Sequence, residues 1–297
     1  MNLANRGNGA LTTNPPAGDQ HLSVHGSDWL WAVFAVFAIT SIIVFPLTWR
    51  ARAGEMIFHY LFTIALLSGA VAYFSMASDL AWSVIPQVNN IAHSGLTRQI
   101  FFAKYVYWVI SFPVLIIAIG FLSSVSWATI LYNIALAWVW ILSYLFSAYT
   151  HTNYKWGFFA IGTVAYLALA FSTLAQGHRG ARRMGYSRDH AGLAGWMNLI
   201  WFFYPIAFGL SDGGNRIGIT SSFIFFGILD LLLVPLLAFA FIFLARRWDY
   251  NRLNLAFTQN SRVHSAAGTF PDKQTHGVAG TTTGGPANST NTTHPVV

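Results

Sequence analysis

Apolar residues run along this chain in seven blocks, each near the roughly 20 residues at 1.5 Å apiece that a helix needs to cross a bilayer. The blocks cover Asp28 to Trp49, Met56 to Trp82, Arg98 to Gly120, Ser126 to Ala148, Tyr154 to Gln176, His190 to Leu210 and Ser221 to Arg247. Polar connections between them are short except for the second, Ser83 to Thr97, whose Ile-Pro-Gln-Val-Asn-Asn run is expected to turn back as a small hairpin. Residues 1–27 are polar and lack the basic-then-apolar build of a cleaved leader, so the first block is expected to act as its own uncleaved signal. Past the last block, Trp248-Asp249-Tyr250 reads as an interfacial anchor. From about Asn260 the chain turns to Gly, Thr, Asn and His, a composition that cannot bury a core and predicts disorder. No repeat of fixed period is present. The pattern predicts an all-α membrane protein: a polar tail at 1–27, one seven-helix bundle at 28–247 and a second polar tail at 248–297.

Composition reinforces this reading. Of the 297 residues 55% are hydrophobic and only 8% charged, against about 25% charged in a soluble domain. The net charge of +7 comes from basic residues that flank apolar blocks without forming a stripe, which argues for membrane lipid and against nucleic acid as the partner. The chain has no cysteine, which excludes disulfides, thiolate metal sites and cysteine nucleophiles. Arg50 and Arg52, the group Arg179, Arg182, Arg183 and Arg188, and the tail with Arg246, Arg247, Arg252, Arg262 and Lys273 fall on one side of the membrane. Arg6, Arg98, Lys155 and Arg216 fall on the other, which predicts the N-terminus outside and the C-terminus cytosolic. The glycosylation patterns at Asn288 and Asn291 then sit on the cytosolic side and read as chance.

Two charges lie inside the blocks, away from their ends: Asp230 in the seventh and Lys104 in the third. A carboxylate in hydrocarbon costs roughly 2.5–3.5 kcal/mol on insertion scales, so Asp230 is expected to face the interior with a partner. One turn later on the same face stands Val234, which is inert. In the third block, Lys104, Tyr107, Trp108 and Ser111 share one helical stripe, with Pro113 beyond; in the sixth, Trp201, Tyr204, Pro205 and Phe208 do the same. Plain helix packing accounts for most such aromatic stripes. His21 and His25 have the i, i+4 spacing of a chelating pair but no third ligand, so no metal site is expected. Asp79 reads as an exposed carboxylate near a helix end, and Ser211-Asp212-Gly213-Gly214-Asn215 as a tight turn.

These residues resemble the microbial rhodopsins. The resemblance rests on Tyr105-x-x-Trp108-x-x-Ser111-x-Pro113, Trp201-x-x-Tyr204-Pro205 and Leu229-Asp230, and covers roughly residues 27–247. Longer strings, among them Gly26-Ser-Asp-Trp-Leu-Trp-Ala-Val-Phe, Ala77-Ser-Asp-Leu, Arg98-Gln-Ile-Phe, Tyr154-Lys-Trp-Gly and Gly209-Leu-Ser-Asp-Gly-Gly-Asn-Arg-Ile, are similar to a fungal opsin-related branch that includes a yeast thirty-kilodalton heat-shock membrane protein. The resemblance implies a retinal pocket built by Trp108 and Trp201 as the sandwiching rings, with Ser111, Pro113, Tyr204, Pro205, Phe208 and Val234 along it. It also implies that Asp230 is a counterion hydrogen-bonded by Tyr73 and Tyr204.

Departures from the family pattern decide the chemistry. A Schiff base needs an amine, and the family's lysine position holds Val234, so covalent retinal is excluded there. The family's proton acceptor falls on Tyr107, a phenol with an unperturbed pKa of about 10, and its internal donor on Ala118, which carries no proton. Light-driven proton pumping is therefore excluded. The remaining cluster is read as Lys104, Asp230, Tyr73, Tyr107 and Tyr204, with Lys104 pairing with Asp230. The expected function is that of a non-photochemical opsin-like protein without enzymatic activity. For it the resemblance implies a stress-associated regulatory role at the fungal plasma membrane, through the proton ATPase, and homo-oligomers. Two further readings stay open: noncovalent binding of an apolar ligand such as a retinoid or sterol, and a passive ion or proton pathway.

Overall fold

The structure, a computed structural model, describes residues 9–52, 54–88 and 95–253. Residues 1–8, the expected disordered stretch from Asn260, both asparagines of the glycosylation pattern and Lys273 lie outside the described residues. After a short helix α1 (Gly9–Thr13), the chain enters α2 (Val24–Leu47), α3 (Met56–Ala77), α4 (Ala103–Ser123) and α5 (Trp127–Tyr149). It continues through α6 (Lys155–Phe171), α7 (Gly177–Met184), α8 (Ser187–Phe208) and α9 (Ile219–Ala245), and a final turn α10 (Tyr250–Leu253) follows. Seven of the resulting spans are long and apolar enough to cross a membrane. Ser23 caps α2 by accepting from the Gly26 amide at 3.1 Å, and Ser126 caps α5 from the Thr129 amide at 3.2 Å.

Three boundaries differ from the sequence reading. The second span ends at Ala77 and the third begins only at Ala103, because Trp82–Pro86 (β1) and Thr97–Phe101 (β2) form the two strands of an antiparallel hairpin with Trp82 opposite Phe101. The expected hairpin is thus real and larger, and Arg98 sits on a strand instead of opening a helix. A parallel bridge from Gln20 to Arg98 ties the segment before α2 to this hairpin. The fifth span does not stop at Gln176: a π-helical turn over Ser172–Gln176 carries α6 into α7, so Arg179, Arg182 and Arg183 are helical. Gly185, at φ 86°, then reverses the chain in the left-handed region that glycine tolerates.

The bundle has a hairpin end and an arginine-rich end. Helix α2 packs on α3 and α9, α4 lies between α3 and α5, α5 packs on α6, and α8 on α9, which also meets α3. Large apolar side chains such as Ile42, Val71, Val164 and Phe243 face outward, as expected where lipid is the solvent. The inside is aromatic, with Phe37, Tyr73, Tyr107, Trp140, Trp201 and Tyr204 all buried.

The Trp248-Asp249-Tyr250 group is not an interfacial anchor. Trp248 is buried against Phe58 and Phe241, and its indole N–H donates to Asp189 at 2.8 Å. It locks the end of α9 to the start of α8.

Candidate functional site: two buried carboxylates

Asp230 is fully buried in the middle of α9. Its Oδ1 accepts from the Tyr204 hydroxyl at 2.6 Å and the Trp108 indole N–H at 3.0 Å, while Oδ2 accepts from the Tyr73 hydroxyl at 2.5 Å. One carboxylate thereby joins α3, α4, α8 and α9, and its lone pairs are met by neutral donors that offset part of the desolvation cost. Tyr107 lies beside this group with its ring edge-on to Phe37 and Tyr73. Its hydroxyl, the Ser111 hydroxyl and the Trp201 indole N–H are buried without a hydrogen-bond partner among the described residues.

Lys104 does not pair with Asp230. Its ammonium forms a buried salt bridge with Asp212, with the rings of Phe226 and Tyr105 at 4.7 and 5.2 Å. The tight-turn reading of Ser211 to Asn215 is corrected at the same point. Gly209–Gly213 is a π-helical turn that continues α8 and turns Asp212 into the bundle, and the reversal falls on Asn215 at φ 51°. Asp212 also accepts from the Tyr105 hydroxyl at 2.8 Å and faces Arg98 Nε at 3.6 Å. Lys155, which the charge pattern counted among the basic residues of the outer side, is the first residue of α6 and is 2% exposed. Its ammonium donates to the Asp212 carbonyl at 3.1 Å and to Gln87 Oε1 at 3.2 Å. Arg98 completes the group, with Nη1 donating to Ile217 O at 2.7 Å and to Gln20 and Asn215 side chains at 3.1 Å each. Burial works against the Arg98 charge and the Asp212 carboxylate supports it. Arg98, Lys155 and Asp212 were missed as site residues; the available signal was that Arg98, Lys155 and Asp212 all fall within the strings shared with the resembled family.

Asp79 is also corrected, from exposed to 2% exposed. Gln99 donates to its Oδ1 at 2.6 Å while Oδ2 has no partner, and burial raises its pKa above the usual carboxylate value. His21 and His25 are both exposed.

The expected pocket residues converge, but around other side chains. Trp108 and Trp201 are bridged by Phe112, whose ring lies 6.2 Å from the first and 5.2 Å from the second. Trp140 packs on Phe112, Trp201 and Tyr204, and Phe208 stacks on Tyr144 at 4.4 Å. Ser111 and Pro113 are buried on α4, and Pro205 is partly buried on α8. The cavity left here is only about 10 Å³, far below the roughly 300–1,000 Å³ of small-molecule pockets. Val234 is fully buried and offers only methyl groups. These residues do not fit a covalently held retinal.

A family model described as bacteriorhodopsin-like protein matches residues 25–249. The chain is 35% identical over 287 residues to Protein FDD123 of Trametes versicolor, covering 92% of this chain and 99% of that one. It is 34% identical over 248 residues to the 30 kDa heat shock protein of Saccharomyces cerevisiae, covering 75% and 74%. Among solved structures, the light-driven proton pump LR (Mac) from Leptosphaeria maculans superposes with a TM-score of 0.73 at 26% identity, over 79% of this chain and 98% of that chain. Seven apolar spans, the aromatic cage around Asp230 and these similarities together show that the chain belongs to the bacteriorhodopsin-like family, on its fungal opsin-related branch.

Proposed function

We propose that this integral membrane protein works at the plasma membrane without a covalent chromophore, as a passive proton or ion pathway with its hairpin end outside and its C-terminus cytosolic. The observation that carries the reading is a set of buried polar groups contributed by several helices of the bundle. At the hairpin end Arg98 and Lys104 meet Asp212, and Asp230 with its Tyr73 and Tyr204 hydroxyls forms a second group. Further side-chain atoms are buried without a hydrogen-bond partner among the described residues, on Tyr107, Ser111, Trp201, Thr63, Ser172 and both ring nitrogens of His190. Buried polar atoms in native proteins are nearly always satisfied, by water where protein offers no partner, so these atoms mark places where water would sit. A hydrated file linking ionisable groups is what proton transfer needs. Excluding the pumping chemistry does not exclude leakage, because a passive path needs no light-driven change in acidity.

The test is proton flux into liposomes holding the purified full-length protein, driven by a potassium gradient with valinomycin and followed with an internal pH dye. Flux above protein-free liposomes, and its loss in a folded Asp230→Asn variant, is expected. Flux equal to that of empty liposomes at matched protein density overturns the reading.

A second reading, a stress-associated regulator acting on a partner such as the proton ATPase, is favoured by the similarity over 248 residues to the yeast 30 kDa heat shock protein. Affinity purification of the intact protein from stressed and unstressed membranes tests it; the same co-purifying set in both, with no ATPase in either, overturns it. Noncovalent binding of a retinoid or sterol in the bundle requires Phe112 or Trp140 to move, given a cavity of only about 10 Å³ beside them.

A further inference from the structure

Exposed arginines collect at the end of the bundle opposite the hairpin, on three elements that meet at one turn. On α7, Arg179, Arg182 and Arg183 share one stripe by their spacing of three and four, while Gly177 and Ala181 on the opposite face are buried. Gly185 reverses the chain, and Arg188 follows in the first turn of α8. Arg252 on α10 comes back to the same turn, since a Cβ on Gly185 would lie 3.8 Å from its Nη1. The turn is braced there: the Asp249 amide donates to the Tyr186 hydroxyl at 2.8 Å, and the Trp248 indole to Asp189. These arginines are all exposed, and none makes a salt bridge with another described residue. The carboxylates of the same turn, Asp189 and Asp249, are too few to balance them. Depth in the membrane narrows what the arginines can meet. The last large exposed apolar side chain on the span Lys155–Met184 is Leu174. At 1.5 Å per residue Arg182 lies about 12 Å further along the axis, past a headgroup layer of roughly 5–8 Å. An inositol ring carries its monoester phosphates out to that level, whereas the diester phosphate of an ordinary phospholipid lies nearer the hydrocarbon.

We propose that Arg179, Arg182, Arg183, Arg188 and Arg252 form a docking surface for the headgroup of a polyphosphoinositide, a lipid with two or more phosphomonoesters on its inositol ring. Each phosphomonoester carries about −1.5 to −2 charges at pH 7, and guanidinium forks meet such oxygens two at a time. Arginines on three elements can clasp a headgroup whose phosphates stand on separate ring carbons. Phosphatidylserine, with one net negative charge, leaves most of the guanidiniums unmatched. Clustered basic residues beside a membrane span are the general signature of this lipid class; here helix α7 and the Gly185 turn hold them in place before the lipid arrives. The surface needs only the folded bundle. Its place in the cytosolic leaflet rests on the orientation proposed above, and binding in micelles reads the surface alone, so either can fail without the other.

The test is binding of fluorescently labelled phosphatidylinositol bisphosphate to the purified full-length protein in mixed micelles, followed by anisotropy and competed with unlabelled phosphatidylserine or soluble inositol trisphosphate. Binding that neither competitor displaces at equal concentration is expected. Arg182→Gln combined with Arg183→Gln should weaken it roughly 30-fold, the effect of two surface arginines, and Arg252→Gln alone about fivefold. Arg216→Gln, which removes an exposed arginine from the hairpin end, should leave it unchanged. All the substituted side chains are exposed, so the variants should melt with the wild type in lipid-free micelles. Equal displacement by phosphatidylserine would overturn the proposal and leave the surface to an acidic protein partner. Equal displacement by inositol trisphosphate, unchanged affinity in the double variant or in Arg252→Gln, or the same loss in Arg216→Gln would each overturn it as well.

Discussion

Replacing Asp212 with Asn should damage this protein far more than replacing Asp230 with Asn, although Asp230 is the residue a sequence reader would choose. Asp212 is the carboxylate facing both Lys104 and Arg98. At the 3.6 Å separation from Arg98, an effective dielectric of about 20 gives that pair alone ~4–5 kcal/mol of attraction. Breaking a buried pair by removing one partner typically costs about 3–5 kcal/mol, since the surviving cation stays buried and uncompensated. We expect Asp212→Asn to lose ~3–5 kcal/mol on that basis. Asp230 accepts only neutral donors, so Asp230→Asn strands no cation and should lose about 1–3 kcal/mol. The assay is reversible unfolding in mixed micelles followed by fluorescence, for which the 12 tryptophans give ample signal. A further variant combining Asp212→Leu with Lys104→Met should recover part of the loss, because apolar replacement of a buried pair is often neutral. If Asp212→Asn unfolds within 1 kcal/mol of wild type, or less readily than Asp230→Asn, the assignment of Asp212 as the tie at the hairpin end is wrong.

Three other outcomes follow from the same structure. Because burial raises the Asp79 pKa, the folded state resists ionisation, so stability should fall as pH rises from about 3.8, the unfolded value, to the folded one. Asp79→Asn should flatten that dependence and stabilise the protein at neutral pH, helped by the tolerance of Asn for φ 55°; a melt unchanged by the substitution across pH 4–7 (on the order of the relevant window) would count against it. Val234→Lys with added retinal should form no shifted absorption band alone, because Phe112 bridges the two tryptophans; Phe112→Ala in the same chain should permit one, at roughly 3–5 kcal/mol of stability, and a pigment from the single variant would contradict the packing. Gly180→Ala would put a Cβ 2.2 Å from the Ser123 carbonyl oxygen, so α7 must shift from α4, and a cost of at least about 1–3 kcal/mol in melts is expected.

The sequence by itself determined the membrane class, the number of spans and the stripes of residues that cluster, because hydrocarbon length and the helical repeat are local constraints. It also determined that the side chain at 234 carries no amine, which holds in any fold. The three donors around Asp230 included two that the family resemblance implied, Tyr73 and Tyr204, and a third, Trp108, that it cast as a sandwiching ring. Tertiary structure alone decided which acid meets which base. Lys104 and Asp212 are 108 positions apart, and Asp212 faces inward because a π-helical turn continues α8 past Phe208. Each extra helical residue rotates the following side chain by about 100°, so a Gly-rich segment read as a reversal became one more buried turn. The same dependence on distant packing put Lys155 inside, where the start of α6 meets the carbonyl of Asp212, and put Phe112 against both tryptophans. Phe112 meets Trp108 one turn away on the same helix, but neither its contact with Trp201 nor the burial of Lys155 has a local signature, because each is set by the distance between helices.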